Sequence, residues 1–340
     1  MLKKIKVNDA VGMVLGHDMT KVVPGQFKGV AFHRGHIIKE EDIPELLNIG
    51  KEHIYIMEPG ENMVHEEEAA LRIAIAAAGD AFELTKPSEG RINIKAKSRG
   101  LLKVNIPLLR AINAIGEIIF ATQHTNTVCQ PGAMIAGTKI IPLYITEAKL
   151  KKLEDLCRTK GKVVKIVPFQ AKKVGVVITG SEVFKGRIKD KFGDTIRKKV
   201  EDLGSTVNRQ KVVTDDKEMI AGAVKEMKDG GSDVIFVCGG LSVDPDDVTV
   251  DGVKASGAKV ITYGAPVFPG SMFLYASLQG TPILGAPACV IHNEATIVDV
   301  VLPRILAGDE VKKKDIIEYG HGGLCLSCDI CEFPVCPYCK

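Results

Sequence analysis

Two β-branched runs that end in glycine constrain this chain more than any other feature. Val174–Thr179 runs into Gly180-Ser181, and Asp233–Cys238 runs into Gly239-Gly240. Short, continuously apolar runs bounded by turn residues are the pattern of strands buried on both faces, as in parallel sheets. Between and after them the periodicity predicts helices at Thr195–Leu203, Lys217–Lys228, Asp246–Ser256, Met272–Gln279 and Ala288–Leu306. It predicts further strands at Thr206–Thr214, Lys259–Tyr263 and Thr281–Leu284. Regular strand–helix alternation specifies an α/β fold: a three-layer, doubly wound, mostly parallel sheet with right-handed crossovers.

Residues 172–309 form that domain in this reading. Residues 1–150 form a smaller mixed α/β region. Its first 60 residues are short apolar runs punctuated by Gly and Pro, with a short helix expected at Glu41–Leu47 and a strand at His53–Met57. A Glu- then Ala-rich helix is expected over 65–78, ended by Gly79, and another near Pro107–Phe120. Leu150, Leu153, Leu156 and Cys157 recur at helical spacing, so residues 151–171 are expected to be a helical linker and a strand. Residues 320–340 are a cysteine-rich tail.

Composition excludes several function classes. There are 45 basic and 42 acidic side chains, a net charge of +3, no tryptophan and 5% aromatics. That balance gives neither the electrostatic footprint of a nucleic-acid binder nor a platform for base stacking. No stretch reaches about 18 apolar residues; the nearest, Ile106–Ala121, is broken by Arg110 and Glu117. The first residues lack the apolar run of a secretory leader. A cytoplasmic protein with no membrane partner is expected.

The glycine-ended strands carry the candidate chemistry. In doubly wound sheets ligands bind at the carboxyl ends of the strands. Thr179-Gly180-Ser181-Glu182 and Gly239-Gly240-Leu241-Ser242 let a ligand approach the backbone closely and meet hydroxyls and amides, so phosphate binding competes with a plain strand-to-helix turn. Lys172 to Lys199 holds nine basic and three acidic residues, which suits either an anionic ligand or a solvated face. Asp244, Asp246, Asp247 and Asp251, and also Asp194, fit either Mg²⁺ beside a phosphate or helix capping. Pro266–Ser271 and Gly285–Pro287 add two more loops. The histidines show no ligand spacing.

The tail is the other candidate. Of nine cysteines, five fall in Cys325-x2-Cys328-x2-Cys331-x4-Cys336-Pro337-x-Cys339. The spacing is one residue from a ferredoxin-type run. So many thiolates in a short loop repel unless a cation sits among them, which an iron–sulfur cluster or Zn²⁺ supplies, with disulfides or free thiols as the remaining option. Four ligands leave one spare, Cys339 being the candidate. Cys129, Cys157, Cys238 and Cys289 read as small packing residues.

In order and spacing, Val176-Val-Ile-Thr-Gly-Ser-Glu182, Gly193-Asp194, Gly239-Gly240-Leu-Ser242, Pro245-Asp-Asp247-Val-Thr249, Phe268-Pro-Gly-Ser271 and Gly285-Ala-Pro287 resemble the molybdopterin-binding domain of the molybdenum-cofactor biosynthesis family. The segment from Arg34 to Ile56 is similar to parts of the molybdenum insertase, the molybdopterin molybdotransferase. The resemblance implies that Thr179, Gly180, Ser181 and Glu182 line a pterin pocket. Gly239, Gly240 and Ser242 would cradle phosphate, and Pro269, Gly270, Ser271, Gly285 and Pro287 would shape the far wall. Asp194 and Asp247 would be the catalytic carboxylates that orient Mg²⁺ or a nucleotide. It further implies molybdopterin or adenylated molybdopterin and molybdate as ligands, a homo-oligomer, and a transferase assisting molybdate insertion. The alternative is a non-catalytic molybdopterin carrier or sensor that docks to a molybdoenzyme through an iron–sulfur or zinc tail. A nucleotide hydrolase ranks third, since the same domain occurs in the nicotinamide-nucleotide amidase family and no deamidase half is found in this sequence.

Overall fold

A computed structural model describes residues 2–23, 27–57 and 62–340. The chain divides into two compact units. The first comprises Met1–Lys95, Asn105–Thr122 and Met134–Val164; the second comprises Ala96–Val104, Gln123–Ala133 and Lys165–Lys340. Among the described residues, no helix is long and apolar enough to cross a membrane.

In the first unit, Leu2–Lys6 pairs antiparallel with His53–Met57, and Met19–Val23 forms a hairpin with Phe27–Phe32. Leu15, Met19, Leu46 and Ile54 form their small core. The helix expected at Glu41–Leu47 is a 3-10 turn, Glu40–Asp42, running into Ile43–Asn48. The Glu66–Ala78 helix buries Ala69, Ala70, Ile73, Ala74 and Ala77 along one side, and Gly79 ends it at φ +76°. A second helix, Glu147–Lys160, buries Leu150, Leu153 and Cys157. The Arg72 guanidinium joins the two, donating to Glu147 at 2.7 and 2.9 Å and to Glu154 at 2.9 and 3.1 Å. Residues 151–164, expected to belong to a linker, therefore lie inside the first unit. The helix expected near Pro107–Phe120 stops at Asn113; Gly116, at φ +86°, turns the chain into the strand Ile118–Thr122.

The second unit is built on a six-stranded sheet of β1 (Lys173–Thr179), β2 (Thr206–Val213), β3 (Val234–Cys238), β4 (Lys259–Tyr263), β5 (Leu274–Leu278) and β6 (Thr281–Ala286), ordered β2-β1-β3-β6-β5-β4. β1 runs parallel to β2 and β3, and β3 to β6; β5 is antiparallel to both β4 and β6 and is the reversed strand. The helices are α1 (Phe192–Glu201), α2 (Lys217–Asp229), α3 (Thr249–Ala255), α4 (Ile297–Leu306) and α5 (Lys313–Glu318). Alternate residues of each strand serve opposite faces. Val176, Ile178, Phe236 and Cys238 pack with Ile196 of α1 and Val301 of α4. Val177, Ile235 and Val237 pack with Val224 of α2 and Val253 of α3.

Three expectations change here. Met272–Gln279 is strand β5, not a helix: Gln279 and Gly280, at φ +49° and +85°, make a two-residue hairpin turn into β6, the geometry that tight hairpins require. Ala288–Leu306 is not one helix. It breaks after the single turn Cys289–His292, and α4 restarts from a capping box in which Thr296 Oγ1 accepts the Val298 amide and Asp299 accepts the Thr296 amide at 2.8 Å. The helix expected from Asp246 begins at Thr249. The tail folds back so that Tyr338 and Cys339 enter the core shared with Val267 and Tyr319.

Candidate functional site at the carboxyl edge of the sheet

β1, β2, β3 and β6 point the same way, so their carboxyl ends share one edge. The chain leaves β1 outward to β2 and then returns to β3 on the other side. The β1–β3 boundary is thus the topological switch point, where crevices form.

Thr179 closes β1 there. Its hydroxyl donates to the Cys238 carbonyl at 3.3 Å and lies 3.2 Å from the Thr249 hydroxyl, which donates to the Gly239 carbonyl at 3.0 Å. Both threonines are buried. Gly239 and Gly240 stand at φ +95° and +57°. A Cβ on Gly239 would collide with the Thr179 carbonyl oxygen, and one on Gly240 with the Thr249 hydroxyl while sitting 3.1 Å from that of Thr179. Glycine is required at both positions.

Beside this knot, the Gly180 amide donates to the Val213 carbonyl at 3.2 Å and the Ser181 amide to Asp215 Oδ2 at 2.8 Å. The Ser181 hydroxyl meets that of Thr214 at 2.7 Å. Thr214 and Asp215, at the end of β2, are not singled out by the sequence pattern; the available signal is an acid and a hydroxyl directly after a strand. Glu182 is exposed on the single turn Ser181–Phe184.

The aspartates divide. Asp190, which the sequence pattern also misses, caps α1: its carboxylate accepts the Phe192 amide at 2.8 Å and the Gly193 amide at 3.0 Å. A Cβ on Gly193 would sit 2.6 Å from Asp190 Oδ2, so that glycine makes room for the cap. Asp194 is exposed in the first turn of α1. Asp247 is half-buried and accepts the Ser242 amide at 2.7 Å; the Asp244 amide donates to the Ser242 hydroxyl at 3.1 Å, and the Asp246 amide to Asp244 at 3.0 Å. The acidic cluster folds its own turn and occupies the Ser242 amide, so that amide is not free for a phosphate. Burial, and then the Asp247 charge, raise the Tyr263 phenol above its usual range.

The loop from β4 to β5 lies at the same edge. Phe268 and Pro269 are joined by a cis peptide, Gly270 is at φ +125° with Ile297 Cγ2 only 2.7 Å from where a Cβ would be, and Ser271 is half-buried. Gly285 is inside β6 rather than in a loop: its missing Cβ leaves room for Leu274. Pro287 is buried just beyond β6. The structure thus brings Thr179, Gly239 and Gly240 into contact, seats Ser181 beside them, and places Pro269–Ser271 and Pro287 on the same edge.

The tail is hydrogen-bonded to that loop. The Phe268 amide donates to Gly323 and the Cys325 amide to Phe268, each at 2.8 Å. Cys325, Cys328, Cys331 and Cys336 line one cavity of about 250 Å³. Cys339 does not; it is buried, which pushes its thiol up to about 12. Among the described residues, no group of three or more His, Cys, Asp or Glu side chains is drawn together closely enough to hold a metal ion, neither at the aspartates nor at the thiols. Cys129, Cys157 and Cys238 are buried, and burial raises each thiol, as it does that of half-buried Cys289.

Residues 175–316 match the family model described as a probable molybdopterin binding domain, and residues 4–58 match one described as a domain of unknown function (DUF8806). A CinA-like protein of Mycobacterium tuberculosis (strain ATCC 25177 / H37Ra) is 35% identical over 79 residues, which is 23% of this chain and 18% of that protein. One from Citrifermentans bemidjiense is 34% identical over 89 residues, 26% of this chain and 21% of its own length. The chain thus spans about a fifth of the curated relatives it matches. Among solved structures, CinA from Thermoplasma acidophilum has 22% identity and a TM-score of 0.36, covering 40% of this chain and 98% of its own. The molybdopterin biosynthesis MoeA protein from Pyrococcus horikosii has 14% identity and a TM-score of 0.35, covering 91% and 75%. Over residues 175–316 the chain carries a domain of the molybdopterin-binding family.

Proposed function

We propose that the carboxyl edge of the sheet binds the phosphorylated end of molybdopterin, free or adenylated, and that the chain assists molybdate insertion in molybdenum-cofactor biosynthesis as a transferase acting in a homo-oligomer. One observation carries this reading: buried Thr179 and Thr249 meet across Gly239 and Gly240, where no side chain fits. Such a knot keeps backbone exposed at the switch point, where an anion can approach it. The Ser181 hydroxyl stands beside it, and Lys185, Arg187, Lys189 and Lys191, which follow the carboxyl end of β1, would complement a phosphate. Asp194 and Asp247 would hold Mg²⁺ against the phosphate oxygens, where the cation would offset their charge.

The test is calorimetric titration of the purified chain with molybdopterin, backed by pterin extraction. Wild type is expected to bind, and Thr249→Val, which keeps the shape and removes the hydroxyl, to bind about tenfold more weakly. No binding by wild type, with unchanged cofactor assembly in Asp194→Ala and Asp247→Ala, would sink the proposal.

The carrier reading has one observation in its favour. Asp247 already commits an oxygen to the Ser242 amide, a structural duty that suits binding better than chemistry. Turnover of molybdopterin with ATP or molybdate by the isolated chain would exclude it.

A further inference from the structure

We propose that Cys325, Cys328, Cys331 and Cys336 form a tetrathiolate site for a thiophilic metal, Zn²⁺ or an iron–sulfur cluster, on the segment tied to the β4–β5 loop and distinct from the Thr179–Gly240 knot. All four thiols line one cavity, together with His292, Asp329 and Glu332, and no lysine or arginine lines it. Lys340 acts on Cys336 from outside that lining, but four thiolates beside carboxylates require more positive charge than one ammonium gives, and a soft cation supplies it.

The frame for the site is already built. Cys325 is fixed by its backbone amide, which donates a hydrogen bond to the Phe268 carbonyl at 2.8 Å. Cys336 is followed by buried Tyr338, whose hydroxyl donates to the Pro269 carbonyl at 2.8 Å, and by Cys339, whose amide donates to Gly322 at 2.9 Å. Between these anchors every residue from 326 to 332 is exposed, so Cys328 and Cys331 can close onto the cavity without disturbing the core. Leu324, Leu326, Ile330 and Val335 are 65–75% exposed. A segment this short with its apolar residues outward has no core of its own, and a bound metal is the usual substitute. On binding, each thiol gives its proton to solvent as the metal–sulfur bond forms. Cys339 is the spare thiol in this assignment: it does not line the cavity, and it is the one buried cysteine of the five. Four ligands therefore remain from five cysteines.

The experiment is elemental analysis and visible absorption of the full chain purified without oxygen, followed by titration of the metal-free chain with Zn²⁺ against a chromophoric chelator. About one zinc per chain, colourless, identifies the zinc form; iron with acid-labile sulfide and broad visible absorption identifies the cluster. The double variant Cys328→Ser/Cys331→Ser, at two exposed positions that the fold does not need, is expected to lose the metal roughly tenfold or more, while Cys289→Ser keeps it. Negligible zinc and iron in the oxygen-free preparation together with no competition for Zn²⁺, or full metal content in the double variant, overturns the proposal. Neither result depends on whether molybdopterin binds.

Discussion

Tyr338 donates its hydroxyl proton to the backbone carbonyl of Pro269 at 2.8 Å, and its ring is only 2% exposed. With the paired bonds between Phe268, Gly323 and Cys325, this ties the cysteine tail to the β4–β5 loop. Tyr338→Phe keeps the buried ring and removes the bond, at a cost of about 1 kcal/mol. Hydrogen exchange is expected to quicken at the amides of Phe268 and Cys325, with β1 and β3 unchanged. Equal protection of the loop in both proteins would show that the tail does not hold it.

The glycine knot makes a second prediction. Gly204 is at φ +79° with nothing within 4 Å of where a Cβ would stand, so Gly204→Ala costs only backbone strain, about 1–2 kcal/mol. Gly240→Ala adds a collision with Thr249 and crowding against Thr179, bringing the total to roughly 3–4 kcal/mol. Urea unfolding of the two variants measures the gap. Equal losses would mean that the two threonine side chains yield without cost.

The same residues mark how far the sequence can be read. β1 and β3 are legible because their buried faces leave continuous apolar runs. β5 is not: it is buried almost throughout, so period alone cannot separate strand from helix, and its hairpin turn places Gln279, an uncommon residue for the role, at positive φ. Gly193 enters the sequence reading only as part of the Gly193-Asp194 pair; what requires glycine there is the Asp190 carboxylate, which takes the room of a side chain. Asp215 and Ser181 meet across 34 positions, a distance no local pattern spans. Cys339 is the spare thiol already in the sequence, but the Tyr338–Cys339 anchor that buries it is not legible there, because it depends on the core it enters.

Arg304 carries a third prediction. It is 8% exposed and donates to Asp309 at 3.2 Å, Asp315 at 3.1 Å and the Tyr319 hydroxyl at 3.0 Å, while Lys103 also bonds Asp309. Arg304→Met strands carboxylates in a half-buried site and is expected to cost about 3–5 kcal/mol. Arg304→Lys keeps the charge without the fork and recovers only part of it. Burial alone would raise Asp309, but Lys103 and Arg304 hold it below its usual range. Its contribution is therefore present above the ordinary aspartate range and lost as pH falls through the lowered value. Urea midpoints of both variants at neutral pH check the order, which fails if Met and Lys are equally tolerated.

In the first unit, His65 sets a pH limit. It is 5% exposed, its Nδ1 accepts the Glu67 amide at 3.3 Å, and the Gly16 backbone beside the ring only partly offsets its burial. Burial first, and then the Arg34 charge, lower it from 6.5 to about 4. The unfolded chain therefore takes up this proton before the folded chain does. Stability falls as pH drops from 6.5 towards 4, by up to about 1.4 kcal/mol per unit, and flattens below. His65→Asn retains an acceptor for the cap and removes the titration, so its loss between pH 7 and pH 4.5 should be smaller than that of wild type. Urea unfolding at the two pH values, with the His65 ring followed by NMR, decides the matter. The same pH dependence in both proteins, or a ring that titrates near 6.5 in the native state, would show that His65 is not held neutral by the fold.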